Sequence, residues 1–434
     1  MSDSSLSARA SASPPQADSE SIIESLRQGT PPRRGVRYYS VGHDDFLKGV
    51  RQRHLEGAST RGKIRFIAGS WGSGKSHFLR ELREEAFDAR YLVSLVDLAK
   101  EETPFNKFEK VFASIIGRIG SPEMFVEGNG GASAPFADVL KRPLIATGPG
   151  EAPSGQSVPY KVFAQSSEAL MANESIDIDF RRMVLKYWET YLPDAGDPVA
   201  LEQRRGLIQN WFSGDGTVGT YRREFGVQKM VSRETARLML RSLGRFALHA
   251  GYRGLVILFD EAEMSYSVMR RSDLKSAHNN LLHLINGVDE SEGLFLVYAT
   301  TPDFYTDPKH GIQNYGALAS RIGKPSNTAP KPLDKIWDFD AVQPKAEQYR
   351  EAALRVRDLY VAGYPDSADR LASAEQMRTF VDELIALHPE LSPVRFWRVL
   401  VASVVRRLDL ENQGETVPRT EELHDDVVEV LKRG

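Results

Sequence analysis

A glycine-rich stretch from Gly69 to Ser76 has the residue types of a loop that wraps a phosphate group. It fits the pattern G-x-x-x-x-G-K-[ST] and consists of Gly69, Ser70, Trp71, Gly72, Ser73, Gly74, Lys75 and Ser76. Glycines let the backbone turn its amides inward around an anion, and a helix continuing through His77 adds a partial positive charge. Lys75 is therefore expected to reach the outer phosphates, and the Ser76 hydroxyl to bind Mg²⁺. The alternative is a chance Gly/Ser-rich turn.

Two carboxylates follow a second apolar run, at residues 254–259, which is typical of a buried strand in a parallel sheet. Asp260 is expected to hold Mg²⁺, and Glu261 to polarise an attacking water as a general base. The alternative is a strand end capped by two solvated acids. Glu263 lies close by in sequence, and a solvated role is favoured for it.

Three further side chains could act on the same phosphates. Thr300 follows the apolar run 294–299 and could orient the water, unless it marks only a strand-to-turn transition. Arg321 ends a short helical stretch, so it either points toward a neighbouring subunit's phosphate or is a surface arginine favoured by the helix dipole. Arg395 lies in the first turn of a helix, where a cation is disfavoured, which indicates either a phosphate or an acidic partner.

Four arginines recur at every fourth position of a helix expected over residues 232–250. Like charges at this spacing repel, so helix stability does not explain the stripe. A polyanion such as double-stranded DNA would explain it, and the alternative is a solvated face paired with acids such as Glu234. The members of this arginine stripe are Arg233, Arg237, Arg241 and Arg245.

The elements that must position these residues are short apolar strands separated by helical patterns. Runs at 64–68, 91–96, 294–299 and 335–339 join the run before Asp260, and together they predict an α/β fold with a parallel sheet. The phosphate loop and Asp260 are further apart in sequence than a compact core requires. We therefore expect a large insertion at about 120–230.

Within that insertion, residues 128–160 are rich in Gly, Pro and Ser and are expected to form a loop. Residues 178–191 and 198–212 show helical periodicity. Residues 1–35 are rich in Ser and Pro and are expected to be a disordered tail, with at most one weak helical turn at 22–26.

Composition limits the classes of function. The chain has 434 residues, 56 Lys and Arg against 59 Asp and Glu, and no cysteine. The near-neutral charge excludes a surface that is basic throughout, and the lack of cysteine excludes disulfides and thiolate metal sites. No apolar run is long enough to span a membrane, so a cytoplasmic protein with no membrane partner is expected. The scattered histidines, including His278 and His283, predict no structural zinc.

Taken in chain order, these motifs resemble the AAA+ P-loop ATPases, nearest the initiator branch of ORC and Cdc6 proteins. More narrowly, the chain is similar to the ATP-binding proteins of bacterial BREX phage-defence systems. The likeness covers about residues 35–410. Besides the phosphate loop, it rests on Tyr39-Ser40-Val41-Gly42-His43 and on Phe259-Asp260-Glu261-Ala262-Glu263.

This resemblance implies a five-stranded parallel sheet in the order 5-1-4-3-2, flanked by helices, with an ATPase core over 36–340 and a helical lid over 341–434. It also implies ATP and Mg²⁺ as cofactors and ATP hydrolysis as the activity. Val41 and Gly42 would border the adenine, Arg321 would be the arginine finger and Arg395 the second sensor. The implied partners are further copies of the chain, other defence-system proteins and, as a question for experiment, DNA.

Two alternatives to a defence ATPase stay open at this point. One is a replication or transposition regulator of the initiator type. The other is a scaffold or switch that nucleotide binding orders, with little turnover.

Overall fold

The computed structural model describes residues 14–99, 104–127, 135–146, 157–262, 269–388 and 396–433. These residues form a mixed α/β unit around a central sheet, and a second unit made of helices. The helical unit has its own hydrophobic core, separate from the two cores on the faces of the sheet.

The central sheet has six strands in the described part of the chain. They are β1 Lys63–Ala68, β2 Leu92–Asp97, β3 Ile119–Gly120, β4 Leu255–Asp260, β5 Leu294–Thr300 and β6 Ile336–Asp338. Their order is β3-β2-β4-β5-β1-β6, and all neighbouring pairs are parallel except β2 with β3. The sheet has one strand more than the expected five, the antiparallel β3, whose two residues are too few to give a hydrophobic pattern.

The sheet is covered on both faces, which is why its strands are apolar without alternation. All six residues of β4 are buried. Leu255, Ile257 and Phe259 pack into the core on one face, while Val256 and Leu258 pack into the core on the other. The strand can therefore place a polar residue only where it ends.

Helices cover the sheet and make up the second unit. In chain order they are α1 Gln16–Arg27, α2 Asp44–Val50, α3 Lys75–Asp88, α4 Phe108–Gly117, α5 Pro122–Glu127, α6 Pro135–Ala146, α7 Tyr160–Ala172, α8 Ile178–Glu189, α9 Pro198–Ser213, α10 Val218–Phe225, α11 Ala236–His249, α12 Arg271–Gly287, α13 Asp303–Thr306, α14 Gly316–Ile322, α15 Ala346–Gly363, α16 Ala374–Leu387, α17 Phe396–Gln413 and α18 Thr420–Arg433. One turn of π-helix, Arg51–Leu55, continues α2.

Helices α5 to α10 occupy the region of the expected insertion, and most of their buried residues share the core that covers one face of the sheet. Helices α8 and α9 confirm the helical periodicity seen at 178–191 and 198–212. The insertion is thus a helical layer packed on the sheet.

The expected loop at 128–160 was wrong in its middle part, where α6 forms. The helix is stabilised by Phe136, Val139, Leu140 and Leu144, which are buried at helical spacing between Gly- and Pro-rich flanks. Residues 128–134 and 147–156 lie outside the described residues.

The helical unit combines α15 to α18 with α1 from the opposite end of the chain. Ile22, Ile23 and Leu26 of α1 are almost fully buried in its core. The expectation of a disordered tail over 1–35 was therefore wrong for the described residues 14–35. The segment has too little apolar surface to fold alone, but these three side chains complete a surface formed by other helices.

None of the described helices is long and apolar enough to cross a membrane.

Candidate functional site

The glycine-rich loop joins the end of β1 to the start of α3, as the sequence predicts. Gly72 and Gly74 adopt φ values of 76° and 93°, in the left-handed region that favours glycine. Helix α3 begins at Lys75, and the amide of Phe78 donates to the Gly74 carbonyl at 2.8 Å. The loop therefore surrounds the amino-terminal end of α3, where free amides and the helix dipole favour an anion.

The interior of the loop is too tight for a side chain at position 69. A Cβ on Gly69 would lie 2.3 Å from Ser73 Oγ. The amide of Gly69 donates to the Thr300 carbonyl at 3.1 Å, which ties the loop to β5. Ser73 Oγ is buried and has no hydrogen-bond partner among the described residues. A phosphate oxygen in the loop would supply the missing partner, so this cradle fits a phosphate group.

Lys75 lies across the loop and is 7% exposed. Its Nζ donates to the carbonyls of Gly69 and Ser70, at 2.7 and 3.2 Å, and lies 5.8 Å from the ring centroid of Trp71. Trp71 itself is 56% exposed at the tip of the loop. The ammonium group is thus held at the place where phosphate oxygens would enter.

Asp260 ends β4 next to the phosphate loop and is 8% exposed. The Ser76 side chain lies near enough to its carboxylate to lower the pKa of Asp260, so the two predicted Mg²⁺ ligands are neighbours. Burial raises the pKa of Asp260, while Ser76 and the nearby Arg80 guanidinium partly oppose this rise. A buried carboxylate with a raised pKa is a group that a bound cation would stabilise.

Glu261 follows with φ 51°, an uncommon backbone conformation for a residue with a side chain. Its amide donates to Asp260 Oδ1 at 3.0 Å. Burial raises the pKa of Glu261, and the neighbouring carboxylates of Asp97 and Asp260 raise it further. A raised pKa makes a carboxylate a stronger base, as the predicted role requires.

The sequence analysis missed three polar residues of this site. Asp97 ends β2 directly opposite Asp260 in the parallel register. Arg80, one turn into α3, donates to the Ser76 carbonyl at 3.0 Å. Asp340, just after β6, accepts from both the amide and the hydroxyl of Ser70, at 2.8 and 2.6 Å. Asp97 and Asp340 could have been found from the sequence, because each is an acid at the end of an apolar strand or just after it.

Thr300 ends β5 beside the loop, but its side chain is fully buried. Its Oγ1 lies 3.1 Å from the Ile67 carbonyl and 3.1 Å from the Tyr305 hydroxyl. The structure therefore brings the Thr300 backbone to the phosphate loop while its hydroxyl is engaged inside the core. The next residue, Thr301, also carries a hydroxyl and is 4% exposed.

Of the two predicted arginines, only Arg321 lies in the described residues. It is exposed in the last turn of α14, and it lines a cavity with Lys63, the first residue of β1. The loop follows Ala68, the last residue of that strand, so Arg321 and its own chain's phosphate loop lie at opposite edges of the sheet. Arg395 and Glu263 lie outside the described residues.

Val41 and Gly42 lie between the core and the helical unit. Gly42 has φ 95°, and a Cβ at this position would lie 2.7 Å from Nε2 of Gln348 in α15. Arg355, also in α15, donates through its guanidinium to the Ser40 carbonyl. The segment expected to border the adenine is thus held by the helical unit.

His77 joins this segment to the phosphate-loop helix. Its Nε2 lies 2.8 Å from Ser40 Oγ, and Ser40 Oγ in turn donates to Glu81. His43 Nδ1 lies 2.6 Å from the second oxygen of Glu81. Burial lowers the pKa of His77 to about 4, so His77 is neutral near pH 7. His77 therefore positions the segment around Ser40 against α3.

The residues before this segment are tied to α3 in the same way. Glu84 is 2% exposed, and its Oε1 accepts from the amides of Gly35 and Val36 at 2.6 and 3.1 Å. Its Oε2 accepts from Arg37 Nε at 2.7 Å. Residues 35–43, which we call the strap, are thus bonded along the whole phosphate-loop helix.

Three members of the arginine stripe contact the chain's own residues. Arg237 donates to the Asn280 side chain at 3.1 Å, and Arg241 pairs with Glu290 at 3.6 Å. Arg245 donates to the carbonyls of Ser175 and Glu290. Helix α11 begins four residues later than predicted, because Ser232 and Thr235 form a capping turn, so Arg233 precedes the helix. These three arginines thus have partners within the described part of the chain.

The described residues contain no cluster of three or more His, Asp or Glu side chains that could hold a metal ion. Mg²⁺ bound by Ser76 and Asp260 would need further oxygen ligands from phosphate and water, which is how proteins commonly bind it. The residues present fit an Mg²⁺–polyphosphate ligand better than a metal ion alone.

The chain matches the family model described as BREX system ATP-binding protein BrxC/D over residues 15–425. No curated protein and no solved structure matches it. The matched range includes the phosphate loop, the strand that ends in Asp260 and most of the helical unit. Because the match covers far more than half of its length, the chain belongs to the BrxC/D family of BREX system ATP-binding proteins.

Proposed function

We propose that this protein binds Mg²⁺ and ATP between its phosphate loop and β4 and hydrolyses the terminal phosphoanhydride bond. The observation that carries the proposal is the position of the Ser76 side chain, at the start of α3, next to the buried Asp260 carboxylate at the end of β4. The cradle for a phosphate thus lies beside a buried carboxylate, and Glu261 follows immediately. Membership of an ATP-binding family supports the choice of nucleotide.

Each residue has a separate task in this proposal. The amides of the loop and the Lys75 ammonium hold the phosphates, while Ser76 and Asp260 would hold the metal ion. Bound Mg²⁺ supplies positive charge that stabilises the phosphates. Glu261 accepts a hydrogen bond from the attacking water and orients it.

An AAA+ type of assembly is the second part of the proposal. The order of the parallel strands, β2-β4-β5-β1-β6, supports it, because a phosphate loop on β1 then lies between the ends of β5 and β6. The position of Arg321 supports an oligomer, since this residue can reach an ATP held by a phosphate loop only in another copy of the chain. Thr300 and Arg395 stay as candidate sensors.

Other proteins of a BREX defence system are the partners that family membership implies. Double-stranded DNA stays a proposed partner without a proposed contact surface, because three arginines of the stripe already have partners within the chain.

Substitution of Glu261, which follows β4, and of Lys75, in the phosphate loop, tests the proposed reaction. Glu261→Gln should bind ATP with affinity near that of the wild type while turnover falls by about 100-fold or more, because water loses its base. Lys75→Ala should lose both binding and turnover. The matched control is Glu292→Gln, which makes the same change at an exposed position and should leave both unchanged.

The measurements are ATP affinity by titration and phosphate release at saturating Mg²⁺ and ATP, with and without duplex DNA. A wild type that binds ATP through Lys75 but shows no turnover under any of these conditions would support the nucleotide-held scaffold instead. Equal turnover in Glu261→Gln and the wild type would exclude Glu261 as the base.

A further inference from the structure

A cavity of about 740 Å³ opens at the amino-terminal end of β1, on the edge of the sheet opposite the phosphate loop. It lies between Lys63 and Arg65 of β1, the end of α12, Arg321 of α14 and Lys335 before β6. Five residue steps along β1 separate Lys63 from Ala68, which is about 16 Å in an extended strand. The cavity is therefore a separate place from the proposed ATP site.

Cations dominate the lining of this cavity. Lys63, Arg65, Arg321 and Lys335 face a single lining acid, Asp289, among the residues that the structure describes. None of the four cations forms an ion pair within the described part of the chain. Lys63 and Lys335 donate instead to the backbone carbonyls of His54 and Arg321.

Arg65 is the most constrained of these cations. Its Nη1 donates to the Ile64 carbonyl at 2.8 Å. Its Nε is buried and has no hydrogen-bond partner in the described residues. A buried donor of this kind costs free energy until an acceptor reaches it, and a guanidinium prefers carboxylate or phosphate oxygens.

The electrostatic environment shows how poorly these charges are compensated. Burial lowers the pKa of Lys63, and Arg65 and Arg253 lower it further. Burial also lowers the pKa of Lys335, with Arg65 and Arg321 adding to the effect and Asp289 opposing it. These cations repel one another around a concave surface, and a bound anion would relieve that repulsion.

We propose that this cavity binds a compact ligand that carries several phosphate groups. Four converging cations call for more negative charge than Asp289 in the lining and Asp334 near Arg65 provide. The volume is that of a small-molecule pocket, and the concave shape suits a compact ligand better than the convex surface of a DNA duplex. A polyphosphate presents several oxygens to guanidinium and ammonium groups at once.

This site acts in a single chain and does not depend on the proposed ATP site. Lys63, Arg65 and Lys335 lie at one edge of the sheet and make no contact with the phosphate loop. Its test can therefore be made in Lys75→Ala protein, in which binding at the phosphate loop is removed. Failure there leaves the proposed ATPase function unaffected.

Titration calorimetry with inorganic tripolyphosphate at 150 mM salt gives a direct test in the full-length Lys75→Ala protein. We expect saturable binding with about one equivalent per chain. Adding Lys335→Glu should weaken binding at least tenfold, because an exposed cation at the mouth of the cavity becomes an anion. Arg65→Met, which removes the orphaned donor, should weaken it similarly.

The matched control is Lys309→Glu, which makes the same charge change at an exposed position outside the cavity. It should leave the affinity within twofold, and circular dichroism should show that all variants are folded. No binding to Lys75→Ala protein would overturn the proposal. So would equal weakening by Lys335→Glu and Lys309→Glu, or Lys335-dependent binding of a 12-base-pair duplex without binding of tripolyphosphate.

Discussion

Gly69 of the phosphate loop lies where its neighbours leave no room for an extra atom. In Gly69→Ala the new Cβ would lie 2.3 Å from Ser73 Oγ and 3.1 Å from Ser73 Cβ, so the loop must open. We expect ATP affinity to fall at least tenfold, because the amides no longer converge on one phosphate. Titration with a fluorescent ATP analogue measures this change.

A substitution at Ser73 tests whether crowding causes the loss of affinity in Gly69→Ala. Ser73→Gly removes both atoms that the new methyl would touch, so Gly69→Ala/Ser73→Gly should regain part of the lost affinity. Ser73→Gly alone serves as the reference for the double variant. If the double variant binds no better than Gly69→Ala, then crowding against Ser73 is not the cause of the defect.

Sequence alone locates those site residues that belong to one continuous pattern. Gly69 to Ser76 and the Asp260-Glu261 pair were found because short-range spacing determines their geometry. Asp97, Arg80 and Asp340 were missed because only the register of the parallel strands and the packing of α3 bring them to the site. The burial of the Thr300 hydroxyl depends on Tyr305, and spacing does not reveal this contact.

Among the elements, the π-helical turn after α2 depends on a neutral histidine. His54 is 2% exposed, and its Nε2 donates to the Pro332 carbonyl at 2.7 Å. Burial lowers the pKa of His54 to about 4, helped by Arg65 and Lys63. In the unfolded chain the pKa of His54 is near 6.5. Between pH 4 and 6.5 the unfolded chain therefore binds more protons than the folded chain, so stability rises with pH over this range.

His54→Gln should therefore reduce the pH dependence of stability in this range. The wild-type histidine contributes a slope of up to about 1.4 kcal/mol per pH unit, and glutamine contributes none. Urea unfolding at pH 4.5, 5.5 and 6.5 measures the slope. His283→Gln, at an exposed position, is the control, and equal slopes for both variants would show that His54 is not responsible.

Helix α1 is attached to the helical unit by an ion pair as well as by apolar packing. Arg27 donates to both oxygens of Asp409 at 2.8 and 2.7 Å, and the buried Tyr360 hydroxyl also donates to Asp409 at 2.8 Å. Asp409→Ala removes the acceptor of the Tyr360 hydroxyl and of Arg27 Nε and Nη2, while Arg27 Nη1 keeps its bond to Glu24. We expect the free energy of unfolding to fall by about 2 kcal/mol, less than for a fully buried pair, because Arg27 is partly exposed.

Asp382→Ala provides the comparison, since it removes an equally short pair with Arg350 at an exposed site. That change should lower the free energy of unfolding by less than Asp409→Ala does in urea unfolding, because an exposed ion pair contributes little to stability. Equal losses in the two variants would mean that the Asp409 cluster does not stabilise the attachment of α1.

Some helices of the structure could not be predicted from the local sequence pattern. Helices α8 and α9 lie in segments whose apolar residues are not interrupted by Gly- and Pro-rich stretches. Helices α1 and α6 also have apolar residues at helical spacing, but Ser-, Gly- and Pro-rich flanks hide the pattern, and the surfaces that bury these residues come from other parts of the chain. The sequence offered Ile22, Ile23 and Leu26 as an apolar group but gave no sign of the helices that bury them.

At the scale of the whole molecule, the position of Arg321 predicts complementation between chains. If Arg321 acts on a neighbour's ATP, then Arg321→Ala should lower turnover at least tenfold without weakening ATP binding. A mixture of Arg321→Ala with Lys75→Ala should be more active than either alone, because an intact loop from one meets an intact arginine from the other.

Steady-state phosphate release over a range of mixing ratios measures this effect. Lys331→Ala, at another exposed cation, should behave as the wild type. Activity of the mixture that equals the sum of its parts would argue against an action of Arg321 between subunits.

The strap is one of two backbone connections that join the helical unit to the rest of the molecule. The backbone crosses between the units once along the strap, which Glu84 fixes to α3, and once after Asp340, which is bonded to Ser70. Both connections are thus bonded to the continuous segment formed by the phosphate loop and α3. A shift of that segment on nucleotide binding would therefore be passed to the helical unit through both connections.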